Sequence, residues 1–316
     1  MVTSGAGSAQ QGTSVVVIGN FDGVHRGHRM VLERARAVLA ALDDRSARLV
    51  AMTFWPHPMT VIRPGHAPLL LCGLDERLRL LRAAGCDDVA IVELSADTAA
   101  WTPAQFVERA LAPLDPAVVV VGENFRFGHR AAGTVQTLID LGRIADRQFA
   151  VETIDLTGDA AGAVSSSRIR SLIADGEVTQ AEELLGRPFR YTGTVCQGDQ
   201  RGRALGFPTA NIPVEPGFVV PIDGVYAGWA TRLGPDGAPA GPRWPAAISV
   251  GTNPTFDGVQ RRVESYVLDR DDLELYGDTL AVDFVRRLRG QVKFTGIPAL
   301  IEQMTADVDL ARELLR

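Results

Sequence analysis

Two histidines three residues apart, His25 and His28, follow directly on the run Val15-Val-Val-Ile-Gly19-Asn20-Phe21-Asp22-Gly23-Val24. Four β-branched residues ahead of a glycine-containing turn read as a buried strand feeding a helix. The i, i+3 spacing places both imidazoles on one face of the first helical turn. Free NH groups and the positive dipole end attract an anion there. Gly27, between the histidines, leaves room for a phosphate to approach the backbone. Two imidazoles so placed can donate hydrogen bonds to the charge developing on a phosphorus under attack, chemistry that suits nucleotidyl transfer. The alternatives are a surface pair at a helix start, or a metal site, for which no third ligand has supporting spacing.

A second group lies far downstream, in Gly198-Asp-Gln-Arg201-Gly202-Arg203-Ala-Leu-Gly206-Phe207-Pro208-Thr209-Ala210-Asn211. Its glycines permit close backbone approach and positive φ, a loop able to wrap a nucleotide phosphate without a lysine. Thr209 and Asn211 alternate on an extended segment, so both point to one face and can bind Mg²⁺ and phosphate oxygens together. In the strand 263–268, Glu264 shares a face with Tyr266 and Leu268, a half-buried setting that favours proton acceptance by a carboxylate. Ser165, Ser166 and Ser167 stand before a helical period. They supply caps and hydroxyl donors, and Arg168 or Arg170 can fork onto phosphate oxygens. Arginines in a first helical turn oppose the dipole, and an anion bound there would relieve this.

The elements that must position these residues follow from pattern. Strands at 15–18, 49–54, 89–92, 117–121 and 149–154 alternate with helical periods, among them Leu74, Leu78 and Leu81, and a helix opened by Thr102, Pro103 and Gln105. Such alternation predicts a parallel sheet covered on both faces, with ligands beyond the carboxyl ends of its strands. A helix starting in 165–167 and another capped by Thr179 with Glu182 lead to Gly186-Arg187-Pro188, a boundary. Beyond it, short strands at 189–195, 224–231, 246–250, 262–268 and 279–287 between Gly, Pro and Asp clusters predict a small β-barrel or sandwich. A last helix, 298–315, carries an apolar stripe of Leu300, Ile301, Met304, Val308 and Leu315 that can close it. The expected division is a disordered tail at 1–14, a first domain at 15–186 and a second at 187–316.

The 316 residues suit two domains, and 46% hydrophobic composition excludes wholesale disorder. A net charge of −6 argues against a protein that coats nucleic acid. No apolar run approaches the roughly 20 residues of a membrane helix. Cys72, Cys86 and Cys196 form no paired motif and fit a reducing, cytoplasmic setting. Lys293 is the only lysine, which excludes a GxxxxGK[ST] phosphate loop.

The string GNFDGVHRGH resembles the nucleotidyltransferase superfamily with HxGH signatures and, in this form, the N-terminal half of the bacterial bifunctional riboflavin kinase/FAD synthetase family. Thr53-Phe54-Trp55-Pro56-His57-Pro58, Val121-Gly122-Glu123-Asn124-Phe125-Arg126-Phe127-Gly128 and Val164-Ser165-Ser166-Ser167-Arg168-Ile169-Arg170 are similar to three further stretches of that half. Trp55 stands where an acidic residue is expected. The 198–211 run resembles the kinase half, as do Gly251-Thr-Asn-Pro254-Thr255-Phe256, Arg262-Val-Glu264-Ser-Tyr266 and 282–294, in which Gln291 replaces an often acidic residue.

The resemblance implies a Rossmann-like nucleotidyltransferase domain followed by a small antiparallel barrel, acting on riboflavin, FMN and ATP with Mg²⁺ to give FAD. It implies Glu264 as kinase base and His25 and His28 as charge stabilisers. ATP or phosphate would contact Gly19, Phe21, Gly27, Ser165, Ser166, Arg168, Arg170, Gly206, Pro208, Thr209 and Asn211, with Arg170 on the triphosphate and Thr209 and Asn211 at the metal. Flavin would contact Asn124, Phe125, Phe127, Arg287, Arg289 and Phe294, although Phe125 and Phe127 serve equally as core residues. The alternatives are a chain with only one active half, or a flavin- or nucleotide-binding regulator on the same fold. Neither a nucleic-acid nor a membrane partner is expected.

Overall fold

A computed structural model of the chain describes residues 2–4, 12–144, 146, 148–155, 164–197, 202, 205–255 and 258–316. They form two compact units: Met1–Pro68 with Gly73–Ser165, and Leu69–Cys72 with Ser166–Arg316.

The first unit is built on a six-stranded sheet of β1 (Val2–Ser4), β2 (Ser14–Ile18), β3 (Arg48–Trp55), β4 (Asp88–Glu93), β5 (Pro116–Gly122) and β6 (Ala150–Ile154), in the order β1-β4-β3-β2-β5-β6. From β2 to β6 all pairings are parallel. The order reverses between β2 and β5, the switch point at which doubly wound sheets open a crevice. Every residue of β2 is buried, because helices cover both faces. Val15 and Val17 pack with Val31, Leu32 and Ala35 of α1 (Arg26–Ala40). α2 (Pro58–Ile62) follows β3, and α3 (Leu74–Ala83) adds Leu78 and Leu81 to the same core.

On the other face, Val16 and Ile18 meet Phe106 and Leu138, from α5 (Pro103–Phe106) and α6 (Val135–Ile144), which follow the short α4 (Ala96–Ala99). The capping box expected at Thr102 and Gln105 is present. The expected disordered tail is corrected at Val2–Ser4. These residues pair antiparallel with β4, because the open sheet edge offers unpaired backbone groups. Residues 1 and 5–11 of that tail lie outside the described residues, as do 198–201, 203–204 and 256–257 of the two kinase-like motifs.

The second unit carries β7 (Phe189–Thr194), β8 (Ala210–Pro213), β9 (Gly224–Leu233), β10 (Pro239–Thr255), β11 (Gly258–Val267) and β12 (Thr279–Gly290). All pair antiparallel in the order β7-β12-β9-β10-β11-β8. The sheet curls until a bridge between Cys196 and Asn211 brings its two edges together, with the Tyr191 hydroxyl donating to the Pro213 carbonyl at 3.1 Å.

Inside lie Tyr226, Ile248, Val263 and Phe284, joined by Ile169 and Ile173 of α7 (Ser166–Ala174) and Val178, Ala181 and Leu185 of α8 (Val178–Leu185). Packing therefore divides the chain at Ser165/Ser166, earlier than the Gly186-Arg187-Pro188 break. Gly186 ends α8 in the left-handed conformation, φ 72°, a turn signal inside the unit. The expected Thr179 cap is corrected: Glu177 precedes α8 without a side-chain cap bond, and the Thr179 hydroxyl donates to the Val285 carbonyl instead. The last helix, α9 (Ile297–Leu314), lays Val308 and Ala311 against Ala227 and Ala247 on the outer face of the sheet.

Candidate active sites

The turn between β2 and α1 stands at the switch point. His25 is the N-cap of α1 rather than a residue of its first turn, and its Nδ1 accepts the His28 backbone NH at 3.3 Å. That bond leaves Nε2 as the nitrogen carrying the proton of a neutral ring. The His25 and His28 rings stack with centroids 3.6 Å apart and 14° between planes, and Phe21 meets His28 edge-on at 5.2 Å. Burial, then the neighbouring His25, then the Arg77 charge hold His28 well below the ordinary imidazole value. His28 Nδ1 is buried without a hydrogen-bond partner.

The glycines serve packing here. A Cβ on Gly19 would lie 3.2 Å from the Phe21 ring, and one on Gly27 would lie 3.3 Å from the His25 ring and from the Val164 carbonyl. Phe21 and Val24 take positive φ, 49° and 39°, strain of the sort that collects in functional turns.

Beyond the carboxyl ends of β2, β3 and β4 opens a cavity of about 630 Å³ lined by Gly19, Asn20, Phe54, Val92, Trp101, Phe106, Asn124, Phe125 and Phe127, with Arg126, His129 and Arg130 beside them. Its size fits a drug-sized ligand. Phe125 and Phe127 stack at 5.4 Å and 11°. Phe127 is core and Phe125 half-buried, while both line the cavity. The cavity loop is pinned by its backbone: the His129 NH donates to the Trp101 carbonyl at 2.6 Å. Ser165 ends the first unit, and Ser166, Arg168 and Arg170 open α7 in the second, where Arg170 Nη1 donates to the Ser167 hydroxyl at 3.4 Å.

Trp55 lies 5.3 Å beneath the Arg77 guanidinium. His57 caps α2, its Nδ1 accepting the Met59 NH. Sequence reasoning missed Arg77, which is fully buried and ion-paired to Asp22. The available signal was its place in Leu74, Arg77, Leu78, Leu81, a charge on the apolar face of a helix.

In the second unit, strand register brings the polar candidates into one row. Glu264 of β11 stands directly opposite Asn211 of β8 and Ser249 of β10. Directly opposed residues project to the same face. Asn211 is buried and Glu264 half-buried. The Asn211 amide nitrogen donates to the Thr209 carbonyl and hydroxyl at 3.1 and 3.2 Å. Pro208, Thr209 and Asn211 line a small cavity of about 70 Å³ with Ser265, Arg270 and Tyr276. Gly206, at φ +88°, has open space where a Cβ would stand.

Arg289 is held by Asp307, its Nη2 and Nε donating at 2.6 and 2.9 Å, and its guanidinium lies 5.9 Å from the Phe294 ring centroid. Arg287 reaches the Asp223 carbonyl at 3.5 Å. Gln291 donates to the Ser249 hydroxyl and the Val250 carbonyl. Ser249 and Asp307 carry no motif signal and come to light only through register and packing.

A doubly wound unit followed by a curled antiparallel sheet is the architecture of a two-part enzyme that transfers phosphoryl and nucleotidyl groups. Residues 7–168 match the FAD synthetase model and residues 185–315 the riboflavin kinase model. Bifunctional riboflavin kinase/FMN adenylyltransferases are similar along nearly the whole chain. The Escherichia coli (strain K12) protein is 34% identical over 96% of this chain and 94% of its own length, the Listeria monocytogenes protein 32% over 93% and 90%, and the Bacillus subtilis protein 31% over 94% and 91%. The chain belongs to this bifunctional family, and it makes FMN from riboflavin and FAD from FMN, each at the expense of ATP.

A solved structure described as a macrolide-efflux protein from Streptococcus pneumoniae has a TM-score of 0.82 and 30% identity, covering 96% of this chain and 95% of that one. No helix among the described residues is long and apolar enough to cross a membrane.

Proposed function

We propose that adenylyl transfer is centred on the β2–α1 turn of the first unit and riboflavin phosphorylation on the curled sheet of the second. The stacked imidazole pair at the switch point carries the first assignment. The FMN phosphate is already ionised at neutral pH, so it attacks the α-phosphorus of ATP without a general base, and pyrophosphate leaves. His25 and His28 donate hydrogen bonds to the oxygens on which charge gathers. Gly19, Phe21 and Gly27 hold the turn that presents the rings, while Asn124, Phe125 and Phe127 receive the flavin in the apolar cavity. Ser165, at the end of the first unit, offers a hydroxyl donor for phosphate oxygens.

In the kinase step, Glu264 takes the proton of the riboflavin 5′-hydroxyl as that oxygen bonds to the γ-phosphorus and ADP departs. Gly206 and Pro208 shape the nucleotide loop, and Arg287, Arg289 and Phe294 border the flavin. Thr209 and Asn211 would hold Mg²⁺. The fit rests on their hard oxygen donors and on the Asn211 amide nitrogen being turned to Thr209, which leaves Oδ1 for other partners. Bound there, the ion would neutralise charge on the transferring phosphate.

The test is two separate assays on two variants. His28→Ala is expected to slow FAD formation about 10²- to 10³-fold and to leave riboflavin phosphorylation near normal. Glu264→Gln is expected to slow phosphorylation about 10²- to 10⁴-fold while supplied FMN is still converted to FAD. Equal loss of both steps in either variant would refute the division of labour.

A further inference from the structure

Arg77 and Asp22 form an ion pair that neither transfer step uses. Arg77 is 0% exposed, Asp22 is 1% exposed, and Arg77 Nη2 lies 3.6 Å from Asp22 Oδ1. Stability explains such a pair poorly, since desolvating two charges offsets most of their attraction and an apolar pair of similar volume often does as well. Its placement explains more. Asp22 lies in the 19–25 turn, between the positive-φ residues Phe21 and Val24 and three positions before His25.

Arg77 Nη1 donates to the Thr53 hydroxyl at 3.4 Å and the Phe54 carbonyl at 3.3 Å, and Thr53 in turn donates to the Asn20 carbonyl at 3.0 Å. The guanidinium, resting on the Trp55 ring, thus holds the turn at Asn20 through Thr53 and at Asp22 directly. Its Nε and Nη2 are buried without a hydrogen-bond acceptor, so the Asp22 contact is an ion pair at 3.6 Å and not a hydrogen bond.

We propose that Arg77 is a positioning residue for adenylyl transfer, fixing the 20–22 turn from behind and thereby the two imidazoles. This rests on the assignment of His25 and His28 to that step. The groups acting on the His28 ring are His25 from its own turn and Arg77 from α3, with Asp22 paired to Arg77.

The test uses the full chain, in which riboflavin phosphorylation serves as an internal control. Arg77→Met should lower kcat for FAD formation about 10²-fold, change KM for FMN less than about threefold and spare the kinase step. The His28 imidazole should titrate at higher pH in Arg77→Met, followed by NMR, because a cation that resists its protonation is gone. Arg77→Lys should recover much of the rate. The double variant Asp22→Asn/Arg77→Met leaves no unpaired buried carboxylate, and it should fold and remain slow.

Normal kcat in Arg77→Met, full recovery in the double variant, or unfolding of the first unit in both would overturn the proposal by making Arg77 merely structural. His28→Ala run in parallel separates the two ideas. If it keeps normal FAD formation, the imidazole assignment itself fails. If it is slow while Arg77→Met is normal, only the role of Arg77 fails.

Discussion

His28 is the residue at which burial and chemistry are most closely tied. Its pKa is held well below the ordinary value of 6.5 by burial, by His25 and by Arg77. The unfolded chain therefore takes up a proton near pH 6.5 that the folded chain refuses, and stability falls as the pH drops below that value. Melting followed by aromatic fluorescence should show a Tm that declines from pH 7 to pH 5. In His28→Gln the decline should be shallower, and an identical decline would remove His28 as its source. The histidines and Glu264 were legible because they are chemically distinctive types at fixed spacing beside glycines. Arg77 was not, because an arginine in a helical period reads as a solvated face until the partner that buries it is known. Trp55 stands where the resemblance has an acidic residue, and its contact is a cation from another element, 22 residues further along the chain.

Elements were legible where local pattern sufficed. The five parallel strands and the Thr102 capping box follow from β-branched runs and from a cap with its own hydrogen-bond logic. β1 was hidden and β8 was legible only as an extended segment at Thr209 and Asn211, since three residues of an edge strand and four residues ending in Pro213 carry little periodicity of their own and exist through pairing. The N-terminus of α8 was misplaced because a threonine two residues inside it imitates a cap. The loop from Asn124 to Ala131 shows how much an element can depend on a single backbone position. Gly128 has φ +72°, and a Cβ there would lie 2.8 Å from the Pro103 nitrogen. Gly128→Ala should therefore cost about 1 to 3 kcal/mol in urea denaturation and weaken FMN binding as measured by quenching of flavin fluorescence. Unchanged FMN affinity would separate the loop from the cavity's ligand.

At the scale of the molecule, order along the chain was legible, and the packing division was not. Gly186-Arg187-Pro188 is a true break in secondary structure, but Ile169, Ile173, Val178, Ala181 and Leu185 before it are buried in the core of the curled sheet. Burying a large aliphatic side chain stabilises by about 1.5 to 3 kcal/mol. A fragment 187–316 should consequently be several kcal/mol less stable than 166–316. Of the two, 166–316 is the one expected to melt cooperatively and to phosphorylate riboflavin. Equal stability in guanidinium would show that α7 and α8 contribute nothing to that core.

The excursion Leu69–Cys72 belongs to the second unit although it is synthesised within the first. Leu70 bridges Phe218, its NH donating to the Gly217 carbonyl at 2.7 Å and its carbonyl accepting from Val219 at 3.0 Å, while Leu71 is buried in the core of the curled sheet. On the ribosome, the chain that completes this bridge is made about 150 residues later, roughly 7 to 30 s at ordinary rates of 5 to 20 residues per second. For that interval the nascent molecule carries Leu69, Leu70, Leu71 and Cys72 with no partner strand yet in existence, and the segment is fastened only when translation reaches the other half of the enzyme.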